Sequence, residues 1–141
     1  MTKLSNSFSK FVGNYCLYSY YLSGIGDVEE SAEKCFLYCK EVVDLYDLEK
    51  YFDKKDINHQ RWLECLSILG SCYLDGYGTN KDFKKGFDIS LKAALLGDKE
   101  SILKLGEIYE LGKCIFRNFK KAIEWYQEAA ILEMNMLDKN L

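Results

Sequence analysis

Residues 69–94 read LGSCYLDGYGTNKDFKKGFDISLKAA, and residues 105–130 read LGEIYELGKCIFRNFKKAIEWYQEAA. Set one beneath the other, at a step of 36 residues and without a gap, the two stretches agree at many positions. Leu69-Gly70 recurs as Leu105-Gly106, Tyr73 as Tyr109 and Gly76 as Gly112. Phe83 recurs as Phe119, Lys84-Lys85 as Lys120-Lys121, and Ala93-Ala94 as Ala129-Ala130. Self-similarity at a period of roughly 20–50 residues marks a stack of supersecondary units, each of which buries its apolar face on its neighbours. That decides the architecture before any single residue is weighed, and it points away from a pocket enzyme.

A looser copy lies upstream. Tyr21-Leu22 and Gly24-x-Gly26 match Tyr73-Leu74 and Gly76-x-Gly78, and Leu17 stands where Leu69 and Leu105 stand. Lys34-Cys35-Phe36 matches Lys85-Gly86-Phe87 and Lys121-Ala122-Ile123, with one extra residue in the intervening loop. The sequence therefore predicts one domain over residues 1–141 with about three repeats: 8–43, 62–97 and 98–133. An insertion fills 44–61, and a capping tail fills 134–141.

Within a unit, Leu66, Leu69, Cys72 and Tyr73 fall at helical spacing, as do Ile102, Leu105, Ile108, Tyr109 and Leu111; this is a first helix, A. Gly76 and Gly78 break it and make the turn. A second helix, B, starts near Asp82 or Asn118, both good N-caps, and carries Phe87, Leu91 and Ala94, or Ile123, Tyr126 and Ala130, on one face. Gly97-Asp98 supplies a stop followed by the cap of the next A helix. Small residues at Gly70, Gly86, Ala93, Gly106, Ala122 and Ala129 let the helices approach closely. The insertion, with Val42, Val43, Leu45, Tyr46, Leu48, Tyr51 and Phe52, reads as a prolonged B helix or a short extra one, followed by the polar loop 53–56. Met134, Met136, Leu137 and Leu141 suggest an end that folds back as a cap, since terminal repeats must hide an apolar face.

Composition agrees. Apolar residues make up 48% of 141 and there is no proline, a lack that long helices with short connections tolerate best. The net charge of −3 favours neither nucleic acid nor a membrane surface. No apolar run reaches the ~18 residues of a spanning helix. No secretion signal is evident, because polar residues interrupt the first twenty or so positions. The six cysteines then read as reduced thiols in a cytoplasmic protein.

These residues resemble the Sel-one-like repeat, a relative of the tetratricopeptide repeat. The third unit offers Leu105, Gly106, Tyr109 and Gly112, then Lys121, Ala122, Trp125, Tyr126, Ala129 and Ala130. The second has Leu69, Gly70, Tyr73, Gly76, Gly78, Lys85, Ala93 and Ala94, but Ile89-Ser90 in place of the aromatic pair and Gly86 in place of the alanine. The first departs most, with Tyr18 at the glycine and Cys35 at the alanine. The resemblance implies an all-α, short α-solenoid that serves as a scaffold or adaptor without catalysis, with helix A lining the concave face. The inward-looking positions are then Ser19, Ser23, Glu64, Ser67, Ser71, Asp75, Glu100, Glu107 and Glu110, an acidic set suited to a basic or amphipathic segment of another protein. The rival surface is a basic edge at the start of the B helices: Lys81, Lys84, Lys85, Arg117, Lys120 and Lys121. It would suit nucleic acid or a ribonucleoprotein. Self-association would use the C-terminal end.

Other chemistry is weak. Cys35 and Cys39 stand at i, i+4 with His59 as the sole histidine, but a zinc site needs four such ligands, or three and a water. Cys35, Cys65 and Cys72 align with Gly86 or Ala122, Ser101 and Ile108, which are packing slots where a thiol acts as a small apolar group. Cys114 replaces Gly78 in the turn and is expected to be exposed. No phosphate-binding or nucleophile-elbow motif is present. The sequence predicts no metal, no cofactor and no enzyme.

Overall fold

A computed structural model of the chain describes residues 3–24, 31–48 and 56–138. Among them lie six helices and no strand: α1 (Lys3–Ser23), α2 (Ala32–Leu48), α3 (Ile57–Asp75), α4 (Phe83–Leu95), α5 (Lys99–Leu111) and α6 (Phe119–Asp138). Each A helix packs on its own B helix, as α1 on α2, α3 on α4 and α5 on α6, and each B helix packs on the next A helix. The all-α solenoid of three helix pairs is what the chain forms.

The caps are those the sequence supplies. The carboxylates of Asp82 and Asp98 accept the amides of Lys85 and Ser101 at 3.1 and 2.9 Å. Asn118 does the same for Lys121 at 3.1 Å. Gly76 and Gly112 end α3 and α5 in the left-handed region, at φ of 71° and 67°, where a Cβ would be strained. One bond recurs in every unit. The amides of Ser31, Asp82 and Asn118 donate to the carbonyls of Tyr21, Tyr73 and Tyr109 at 3.1, 2.9 and 2.9 Å. The first unit, despite its divergent sequence, therefore uses the same tyrosine carbonyl as the others.

Two stretches turn out differently from, or more definitely than, the sequence reading. Of the two forms expected for the insertion, Val42 to Leu48 take the first and prolong α2. Asp56, expected in a polar loop, caps α3 by accepting the amide of Asn58 at 3.2 Å, so α3 starts five residues before repeat two was expected to begin (62 − 57). Residues 134–138, expected to fold back, instead prolong α6. The stop that Gly97 gives after α4 is replaced at the equivalent position by Glu133, a good helix former, so nothing ends the helix there. Gly26, residues 51–55 and Leu141 lie outside the described residues.

Two apolar clusters share the core. Phe11, Tyr18, Val42, Trp62, Leu66 and Leu69 centre the one between α1, α2 and α3. Ala94, Ile102, Leu105, Ile108 and Ala129 centre the other between α4, α5 and α6. Burying each large apolar side chain contributes roughly 1.5–3 kcal/mol.

Candidate functional site

The A helices bond to one another across repeats. The phenols of Tyr15 and Tyr18 on α1 both donate to the carboxylate of Glu64 on α3, at 2.7 and 2.5 Å. The hydroxyls of Ser67 on α3 and Ser101 on α5 are hydrogen-bonded at 3.1 Å, and Lys104 on α5 pairs with Asp75 on α3 at 3.8 Å. On the other side, α4 and α6 stand apart across a cleft of about 680 Å³ floored by α5. Successive A helices are thus bridged by side chains, while α4 and α6 leave an open cleft between them.

The expected inner residues lie on α1, α3 and α5, in different settings. Ser19 and Ser71 are half-buried; Ser23 is exposed and donates to the carbonyl of Ser19. Ser67, expected on the open face, is instead buried at the α3–α5 contact, because its hydroxyl serves Ser101 there. Glu64, Asp75, Glu100 and Glu110 are exposed and Glu107 is half-buried. Several of these carboxylates already hold a partner. Glu64 is clasped by two tyrosines, Asp75 by Lys104, Glu107 by Lys113 at 3.9 Å, and Glu110 by the phenol of Tyr126 at 2.6 Å. The face is therefore acidic with Lys104 and Lys113 set into it. Exposed pairs of this kind are worth about 0–1 kcal/mol each, and their carboxylates stay open to solvent.

The clasps also hold protons. Burial first, and then the bond to Glu64, pushes the Tyr15 phenol up to about 12. The same causes raise Tyr18 further. The bond to Glu110, then burial, pushes Tyr126 up to about 12. All three phenols remain hydrogen-bond donors throughout the neutral range.

On the basic edge, Lys81, Lys84, Lys85, Arg117, Lys120 and Lys121 are all exposed. Two of them have work within the repeat. Lys85 lies over the Tyr73 ring at 5.0 Å and Lys121 over the Tyr109 ring at 5.2 Å, and Lys34 covers Tyr21 in the first unit at 4.9 Å. A cation over a ring face is attracted by its quadrupole. The recurrent lysine thus braces the recurrent tyrosine in all three units. Arg117 similarly lies over Phe119 at 5.4 Å.

Cys35, Cys65 and Cys72 are buried in the slots expected of them, Cys39 is buried beside them, and Cys114 is exposed at a positive φ of 57°. Burial pushes the Cys35 thiol up to about 11 and Cys72 up to about 12. Burial first, and then the Cys65 side chain, raise Cys39 as well, and its thiol donates to the carbonyl of Cys65 at 2.9 Å. Thiols held this way are poor nucleophiles and poor ligands. His59 is bonded through Nδ1 to the Tyr46 hydroxyl at 2.7 Å. Among the described residues no group of three His, Cys, Asp or Glu side chains is placed to hold a metal ion. Nor is any of their helices long and apolar enough to cross a membrane.

Sequence reasoning missed the tyrosine clasp on Glu64. Its only trace is Tyr18 in a slot that holds Gly70 and Gly106 in the other units. A ring placed where the repeat wants no side chain has to reach across to something.

The sequence profile of the Sel1 repeat matches residues 12–41, 63–98 and 99–133. The fold is similar to that of a protective antigen of uropathogenic Escherichia coli strains, c5321, which displays an SLR fold. The TM-score is 0.64 at 22% identity, over 85% of this chain and 22% of that one. It is also similar to a Sel1 repeat protein from Oxalobacter formigenes, with a TM-score of 0.64 at 23% identity, over 94% of this chain and 47% of that one. The chain thus spans less than half the length of either structure. A comparison with curated protein sequences finds no significant match. Sel1 repeats generally mediate protein–protein interaction and are generally not catalytic. With three profile matches on three helix pairs that share one turn bond and one lysine–tyrosine brace, the chain belongs to the Sel1 repeat family.

Proposed function

We propose that this chain is a non-catalytic interaction module that holds a basic or amphipathic segment of another protein along the inner face of α3 and α5. The observation that supports the reading is the run of solvent-open carboxylates, Glu64, Asp75, Glu100, Glu107 and Glu110, on the A helices. Carboxylates facing a groove raise its negative potential and speed the encounter with cationic segments. The lysine edge is the rival surface, and on it Lys85 and Lys121 lie over their own tyrosines.

Capture from a lysate, with and without nuclease and identified by mass spectrometry, tests this. Reversing Glu100, Glu107 and Glu110 to lysine is expected to lose the captured protein and flatten the salt dependence of capture, with the helical content unchanged. If that variant captures unchanged while reversal of Lys84, Lys85, Lys120 and Lys121 abolishes capture, the working surface is the basic edge. Loss on nuclease treatment would then make the partner a ribonucleoprotein.

A further inference from the structure

The two grooves between successive B helices are filled differently. In the first, between α2 and α4, Trp62 of α3 is buried and stacks on Tyr46 of α2, with ring centroids 4.5 Å apart, and Lys92 of α4 lies 5.6 Å from the indole. The groove is closed by an aromatic pair and a cation. In the second, between α4 and α6, the repeat offers other residues at those places. Tyr46, Trp62 and Lys92 correspond to Gly97, Asp98 and Glu128. α4 ends at Leu95, whereas α2 runs on to Leu48 and so carries Tyr46. A Cβ built on Gly97 would meet nothing within 4 Å. Next to these positions, with Glu128 in its lining, lies the open cleft of about 680 Å³, whose apolar surface includes Leu91 and Leu95 of α4, Ile102 of α5 and Trp125 of α6. Leu95 is 72% exposed. Glu124 and Glu128 stand on its α6 wall, and Lys121, which also lines it, is drawn over Tyr109.

We infer that this outer cleft is a second docking surface, distinct from the inner A-helix face, and that it takes a protein segment presenting an aromatic side chain next to a lysine or arginine. The first groove shows which chemistry fills the space between B helices of this chain, and the second has Gly97, Asp98 and Glu128 at the places of its three residues. The aromatic ring takes the place left by Trp62 and Tyr46, against Leu91, Leu95 and Trp125. The cation takes the place of Lys92, where Glu128 and Glu124 supply the opposite charge.

The probe is the capped peptide Lys-Trp-Lys, titrated to millimolar concentration into the full chain labelled with nitrogen-15. Glu-Trp-Glu and Lys-Ala-Lys serve as controls. Saturable shifts are expected at the amides of Leu91 and Leu95 and at the indole of Trp125, with far smaller ones for either control. Leu95→Arg, at an exposed position, is expected to abolish them in a protein that keeps its spectrum. The double variant Glu124→Lys, Glu128→Lys is expected to weaken binding about tenfold, since each exposed charge contact is worth up to about 1 kcal/mol and both change sign. The inference is overturned if no saturable shift occurs, if Glu-Trp-Glu binds as well, or if the shifts fall on α3 and the inner side of α5. It is equally overturned if the same resonances move on dilution without peptide, for then a second copy of the chain fills the cleft.

Discussion

Gly86, Ala122 and Cys35 occupy one position of the repeat, yet the structure sets different limits on each. A Cβ on Gly86 would lie 2.9 Å from the Leu74 backbone nitrogen and 3.0 Å from the Gly70 carbonyl, because α3 and α4 meet through Gly70 and the small side chain of Ser90. In the third unit the residue equivalent to Ser90 is Tyr126, whose ring lies against Gly106 and leaves Ala122 room. Alanine at position 86 gains about 1 kcal/mol of helix preference. It also forces backbone against backbone, an overpacking that costs about 1–3 kcal/mol. Gly86→Ala is therefore expected to lower the urea midpoint, through a loss of stability of up to about 2 kcal/mol, whereas Cys35→Ala, which removes one buried sulfur, is expected to cost about 1 kcal/mol. A raised midpoint for Gly86→Ala would show that α3 and α4 separate freely and would refute the packing account.

At the scale of the helix, most boundaries were legible because they depend on local chemistry. Asp82, Asp98 and Asn118 start helices, and Gly76, Gly97 and Gly112 stop them, for reasons contained within four residues of sequence. The end of α6 differs for a related reason: its apolar residues read as a cap, yet no breaker separates them from the helix. The inner face was legible in outline only. Spacing puts Glu64, Glu100, Glu107 and Glu110 on A helices, but the burial of Ser67, the two tyrosines on Glu64 and the lysines among the acids depend on how one repeat is rotated against the next. No local pattern encodes that rotation. Asp98 links both scales, since its carboxylate accepts the Ser101 amide at 2.9 Å and the Ser101 hydroxyl at 2.8 Å, and that hydroxyl also reaches Ser67. Asp98→Ala is expected to cost about 1–2 kcal/mol, the usual loss for an N-cap, and Asp98→Asn to recover most of it. Thermal melts of the pair measure this; equal losses in the two variants would mean that the charge, and not the cap, is what matters.

For the whole molecule, stability is a sum over repeats and the interfaces between them, so each interface can be loosened by itself. The first and second repeats are joined by Tyr15 and Tyr18 on Glu64, by the Cys39 bond to the Cys65 carbonyl, and by the stack of Tyr46 on Trp62. The second and third are joined by Ser67 with Ser101 and Asp75 with Lys104. Glu64→Ala removes the acceptor of Tyr18, a buried residue, and an orphaned buried donor costs about 1–3 kcal/mol. That loss belongs to one interface. Amide hydrogen exchange of the variant is expected to quicken in α1 and α2 by the corresponding factor, on the order of 5- to 150-fold, while α5 and α6 keep their protection. Glu64→Gln, whose carbonyl still accepts, is expected to fall between the variant and the parent chain. Uniform acceleration across all six helices would mean instead that the three repeats open only together, and that the clasp on Glu64 stabilises the stack as one cooperative unit.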